Sequence, residues 1–163
     1  MKAIKILQTG GPASLPPPFL TKPLGRILVV DDDSDICQLN AEVLIHSGYE
    51  VDAAADGAAA WEALQIKDFN LLITDHNMPK LTGVELVRKL RSARMALPVI
   101  LSTGRLPTED LAKNPSLQLA AILPKPFSVD ELLGTVTKVL RATVNVLRTH
   151  RVPARLAKPV LSR

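Results

Sequence analysis

At 163 residues and 17.6 kDa, the chain is long enough for one domain with a full core and little more. Hydrophobic residues make up 47% and aromatics only 3%, which points to an aliphatic core, and no apolar run approaches the ~20 residues a membrane span requires. The formal charge is +4, yet all 16 acidic residues fall between positions 27 and 147, so the basic character belongs to the ends, which weakens a nucleic-acid reading and leaves only the tails to carry one.

The single cysteine, Cys37, excludes an internal disulfide and fits a reducing cytoplasm. It falls on an expected buried helix face, which makes it a core thiol rather than a nucleophile. Met1–Leu7 has lysines inside its short apolar run and no small-residue cleavage site behind it, so it does not read as a signal peptide.

Residues 1–25 contain Gly10-Gly11-Pro12, Pro16-Pro17-Pro18 and Pro23 and read as a flexible leader, because proline removes amide donors and fixes φ. A first buried strand follows over 27–30, ending in Asp31-Asp32-Asp33. From Ser34 to Ser47, Ile36, Leu39, Val43 and Leu44 recur at helical spacing, with Gly48 as the stop. Residues 50–55 read as a second strand, and 58–66 as a helix with Trp61 and Leu64 inward. Leu71-Leu72-Ile73-Thr74 runs into Asp75 and a Met78-Pro79 turn, the pattern of a strand buried on both faces.

Residues 83–94 form a helix with Val84, Val87, Leu90 and Arg91 on a mixed face, and Pro98–Gly104 a fourth strand with its exit turn. A helix is expected within 107–119, shortened or broken by Pro115. Residues 120–123 make a weak fifth strand before Pro124-Lys125-Pro126. Ser128-Val129-Asp130-Glu131 fits a capping box, and Val129, Leu132, Leu133, Val136, Val139 and Leu140 give the face of a last helix reaching about His150. Pro153 and Pro159 mark 151–163 as a basic tail. Strands alternating with helices imply an α/β fold with a parallel sheet covered on both faces, in one domain over 26–150.

In such a sheet the strand ends bearing Asp31 and Asp32, Asp75, Thr103 and Lys125 all point the same way and can converge. Clustered carboxylates repel unless a cation joins them, and hard oxygen donors with room for water and phosphate suit Mg2+. An ammonium and a hydroxyl hold phosphoryl oxygens, and one carboxylate can then act as nucleophile. The set reads as a phosphoryl-accepting site. Taken singly, Asp31 and Asp75 also read as turn or helix caps, Thr103 as a strand-end hydroxyl and Lys125 as a surface charge.

Here the chain resembles the receiver domain of bacterial two-component response regulators. The matching pieces are Val29–Asp33, Thr74–Pro79, Leu81–Leu86, Ser102–Gly104 and Lys125–Phe127, in order over about 26–147. The resemblance implies a flavodoxin-like doubly wound sheet of strand order 2-1-3-4-5; that order is the family's own and comes with the resemblance, since the residue pattern by itself leaves it open. It implies Asp75 as phosphoacceptor, attacking a phosphohistidine on a sensor histidine kinase or phosphotransfer protein. Asp31, Asp32, Asp75 and the Asn77 backbone carbonyl would hold Mg2+, Thr103 would swing toward the phosphoryl group, and Lys125 would pair with it. Pro126 would follow a cis peptide bond, and Gly104 would leave space beside the site. Arg105 and Asn77 occupy places that tune acyl-phosphate lifetime. Asp33 is left as a helix cap, and His76, His46 and His150 receive no catalytic role.

The chain departs from the family pattern where relatives carry an aromatic switch residue, which here is Ile122. Gln118-Leu119 replaces the usual Gly-Ala upstream. A switch made by Thr103 without an aromatic partner at Ile122 is therefore expected. The initiating Met and the tails favour a stand-alone receiver, not an enzyme, whose output is a protein–protein contact, with a homodimer open. Two other readings stand beside it. A haloacid-dehalogenase-type phosphohydrolase would use Asp31–Asp33 and Ser102-Thr103 but leaves Asp75 unexplained, and a receiver-like binding module would have lost phosphorylation.

Overall fold

The computed structural model describes residues 23–106 and 108–149; residues 1–22 of the leader expected over 1–25, His150 and the basic tail over 151–163 lie outside them. Five parallel strands, β1 (Arg26–Val30), β2 (Glu50–Ala54), β3 (Leu71–Asp75), β4 (Val99–Thr103) and β5 (Ala121–Pro124), make one sheet in the order β2-β1-β3-β4-β5. Between and after them run α1 (Ser34–His46), α2 (Gly57–Ile66), α3 (Gly83–Ser92), α4 (Thr108–Lys113), a 3-10 turn (Pro115–Leu117) and α5 (Val129–Thr149). Both the fold class and the strand order agree with expectation. None of the described helices is long and apolar enough to cross a membrane.

The central strands β3 and β4 are buried at every position, as their unbroken apolar runs require. Side chains alternate across the sheet and so create two cores. Leu28, Val30, Leu72 and Leu101 meet Ala60 and Leu64 of α2 and Val84, Val87 and Leu90 of α3 on one face. On the other, Ile27, Val29, Ile73, Ile100 and Leu123 meet Cys37 and Leu44 of α1 and Leu132, Val136 and Val139 of α5.

Helix starts are fixed by side chains that satisfy the otherwise unpaired first amides. Asp33 accepts from the amides of Asp35 and Ile36, and Thr82 and Glu85 form a reciprocal capping box. Ser128 and Glu131 do the same for α5, as their spacing predicts. The buried stripe of α1 differs from the expected one. It consists of Cys37, Asn40, Ala41 and Leu44, an i, i+3, i+4, i+7 set, which turns Ile36 and Leu39 out to solvent. Val129 is likewise half exposed, because it opens α5 one turn ahead of the stripe that begins at Leu132.

The region 107–119 is broken at its proline. The six-residue α4 stops at Lys113, and Pro115 starts the 3-10 turn, where its missing N–H is harmless. That turn buries Leu117. Arg91 of α3 holds it in place: its guanidinium donates to the carbonyls of Leu117 (2.9 Å), Met95 (2.7 Å), Leu97 (3.0 Å) and Gln118 (3.3 Å). Burial pulls the Arg91 pKa below the ordinary arginine value. One side chain thus ties the segments leading into β4 and β5 to the end of α3.

Replacing Arg91 by Met strips these carbonyls of their donor and should lower the unfolding free energy by about 1–3 kcal/mol, read as a lower urea midpoint at unchanged slope. Cys37 is 6% exposed and its thiol is pushed up by burial. Its reaction with an aromatic disulfide reagent should therefore be slow in the native protein and should accelerate in step with urea unfolding.

Candidate functional site

All five strands run parallel, so their carboxyl ends share one edge of the sheet. Asp31 follows β1 directly, Asp75 closes β3, Thr103 closes β4 and Lys125 follows β5. Asp31, Asp75 and Thr103 are all buried. The Lys125 Nζ stands 2.8 Å from Asp31 Oδ2 and 2.8 Å from Asp75 Oδ1. A single ammonium therefore bridges two buried carboxylates. Burial acts to lower the lysine pKa, but the hydrogen bonds and charges of Asp31 and Asp75 outweigh it and hold the value above that of an ordinary lysine. The Lys125–Pro126 peptide is cis, as expected.

Close packing fixes the loop after Asp75. The Asn77 amide donates to Asp75 Oδ2 (2.6 Å), and the Gly83 amide donates to the His76 carbonyl (3.0 Å). A Cβ on Gly83 would lie 2.3 Å from the Asp75 carbonyl oxygen, so α3 can start this close only with glycine there. A Cβ on Gly57, at the start of α2, would meet Leu81 at 2.9 Å, so α2 confines the same loop from the other side. Lys80 adds an exposed ion pair to Asp56 (3.9 Å). Neither glycine contact is foreseeable from the residue pattern.

Two expected participants do not join the cluster. Asp32 is exposed: Asp31 turns inward and its Oδ1 accepts from the Asp33 amide (3.0 Å), and its neighbour points the other way. Among the described residues no group of three or more acidic, His or Cys side chains is placed to hold a metal ion, so the expected set of Asp31, Asp32 and Asp75 is not assembled. The Thr103 hydroxyl is engaged elsewhere, donating to the Arg105 carbonyl (2.6 Å) and accepting from the Arg105 amide (3.2 Å). Ile122 is half-buried on β5, and a Cβ on Gly104 would meet nothing within 4 Å, which leaves space beside Thr103. His46 is exposed with Nδ1 2.7 Å from the Glu42 carbonyl of its own helix, and Asp33 is a cap, both as expected.

The donor chemistry fits a small hard cation at one point. Asp31 and Asp75 present carboxylate oxygens, hard donors of the kind a small cation takes, and in this structure they share the Lys125 ammonium.

A family model described as the response regulator receiver domain matches residues 27–137. The chain is 34% identical over 116 residues to the transcriptional regulatory protein TctD of Salmonella typhimurium, covering 71% of this chain and 52% of that protein. It is 36% identical over 118 residues to the response regulator MprA of Mycobacterium ulcerans, covering 72% and 51%. It thus spans about half the length of the curated relatives it matches. Among solved structures, the chemotaxis response regulator CheY4 of Vibrio cholerae superposes with a TM-score of 0.64 at 34% identity, covering 70% of this chain and 97% of that one. A CheY-like receiver domain protein from Methanospirillum hungatei gives 0.70 at 29%, covering 74% and 97%. With the strand order and the acid–lysine cluster already in place, the match over most of its length means that this chain belongs to the response regulator receiver domain family of two-component signalling.

Proposed function

We propose that Asp75 of this receiver is the phosphoacceptor of a two-component phosphorelay, and the observation that carries the reading is the Lys125 ammonium shared at 2.8 Å by Asp75 and Asp31. Phosphorylation and Mg2+ are general to the family. An Asp75 carboxylate oxygen attacks the phosphorus of a phosphohistidine on a sensor histidine kinase or phosphotransfer protein. The O–P bond forms, the P–N bond breaks, and its electron pair returns to the imidazole nitrogen, which takes up a proton. Mg2+ would be held by Asp31, Asp75 and the Asn77 backbone carbonyl, with Asp32 reaching in from its exposed position, and would neutralise charge on the transferring group.

Lys125 is held where a phosphoryl oxygen on Asp75 would need a cation, and it turns from Asp31 to that oxygen. The buried site limits access of water to the acyl phosphate. Thr103 leaves the Arg105 backbone to meet another phosphoryl oxygen. In doing so it frees the Arg105 loop, and this is the domain's two-state element, operating without an aromatic at Ile122. Output is a protein–protein contact that depends on which state is populated, and the domain acts as a signalling module rather than an enzyme. The transcriptional role named for the Salmonella relative belongs to that longer protein. The dehalogenase-type reading gains nothing from the geometry, since it leaves Asp75 without a task at the centre of the charge cluster.

Incubation with acetyl phosphate and Mg2+ should add the mass of one phosphoryl group to the intact protein, and Asp75→Asn should show no such species. A phosphorylated Asp75→Asn protein would reject the assignment. Lys125→Met leaves two buried carboxylates without their shared cation. It should cost about 1–3 kcal/mol of stability, less than a fully buried pair because Lys125 is partly exposed, and millimolar Mg2+ should restore more stability to this variant than it adds to wild type. Urea unfolding with and without the metal checks both.

A further inference from the structure

Ser102 sits in the middle of the sheet with only 3% of its surface exposed, and its Oγ has no hydrogen-bond partner. Val99, Ile100 and Leu101 before it are fully buried and apolar. A hydroxyl buried without a partner destabilises the folded state, and native proteins retain few of them. Its location explains why one is kept here.

The strand registers set Ser102 opposite Asp75 on β3 and opposite Leu123 on β5. Ile73, Ile100 and Leu123 share one core, so alternation places Asp75 and Ser102, each two residues further along its strand, on that same face, and the ion pairs of Lys125, which directly follows β5, bring its side chain there too. Asp31, two residues after Val29 of this core, joins them. The strand order puts β4 between β5, which delivers Lys125, and β3 and β1, which lead to its two carboxylate partners. The lysine chain must therefore cross β4 on this face, and Ser102 is the β4 residue beneath the crossing.

We propose that Ser102 is a positioning residue for Lys125: its hydroxyl stays unpaired in the resting domain and accepts a hydrogen bond from the Lys125 ammonium when that ammonium leaves Asp31 for a phosphoryl group on Asp75. A lysine ammonium has three N–H donors. At rest two of them go to Asp31 and Asp75. The donor that leaves Asp31 goes to the phosphoryl oxygen, and the third, unassigned at rest, is the one left for Ser102 while the stem still lies over β4. The resting cost of the lone hydroxyl is then offset in the phosphorylated state, which shifts the equilibrium toward it. An apolar residue at 102 would pack as well and offer no acceptor. This inference rests on the phosphoacceptor reading of Asp75.

The test compares wild type with Ser102→Ala, Ser102→Thr and Ser102→Val. Without phosphodonor, Ser102→Ala should unfold at a higher urea concentration than wild type, since it removes an unsatisfied group. At limiting acetyl phosphate with Mg2+, Ser102→Ala and Ser102→Val should hold about ten- to a hundredfold less phosphorylated relative to unphosphorylated protein, the worth of one hydrogen bond to a charged group, and Ser102→Thr should stay near wild type. The Lys125 ammonium nitrogen resonance should respond to phosphorylation differently in Ser102→Ala than in wild type and Ser102→Thr, a change that loss of packing alone would not produce. If Ser102→Val does not fold, Ala and Thr decide. A wild type that takes up no phosphoryl group sinks the phosphoacceptor reading and this inference with it. A competent wild type matched by Ser102→Ala overturns the inference alone, as does a Ser102→Ala protein less stable at rest.

Discussion

One ammonium holds the functional edge of this domain together. Asp31 and Asp75 are buried side by side, and without a positive charge between them their repulsion and desolvation would oppose the packing of β1 against β3. Lys125 supplies that charge from the far strand of the sheet, so the electrostatics of the site depend on the whole strand order rather than on any local segment. The residues that converge are separated by up to 94 positions in the chain. A parallel sheet is what makes such a meeting routine, because every strand points its last residue at the same edge.

Around this charge cluster, space is controlled as tightly as charge. Gly83 lets the backbone of α3 approach the Asp75 carbonyl, and Gly57 admits Leu81. Asp75 is thus positioned by two absent side chains as well as by the Asn77 amide. Beyond Thr103 the situation reverses: Gly104 borders open space, and the Thr103 hydroxyl is satisfied by the adjoining loop. The edge therefore sets a tightly placed carboxylate beside a loosely bounded hydroxyl.

The sheet, its helices and the meeting of Asp31, Asp75 and Lys125 were legible in the sequence because they depend on strong local signals: unbroken apolar runs, helix caps and charged residues directly at strand ends. The orientation of α1 was not. Ile36 and Leu39 are as apolar as the residues that pack, and only the sheet decides that Asn40 and Ala41 join the expected Cys37 in facing it instead. The outward turn of Asp32 and the inward turn of Asp31 likewise follow from the backbone at the end of β1, which two identical neighbouring letters cannot reveal. Arg91 was read as one polar member of a mixed helix face. That it binds four main-chain carbonyls follows from where the segments before β4 and β5 happen to pass, a property of the assembled fold.

Arg91 makes the two ends of β4 and β5 mechanically unlike. At the end where these strands begin, a guanidinium that stays charged across the biological pH range pins both incoming segments to α3. At the end where they finish, the ties are a single lysine ammonium and a threonine hydroxyl. The strands therefore behave as levers with a fixed pivot. Four main-chain bonds at the starting end oppose displacement there, and the finishing end, with fewer ties, is the one left to yield.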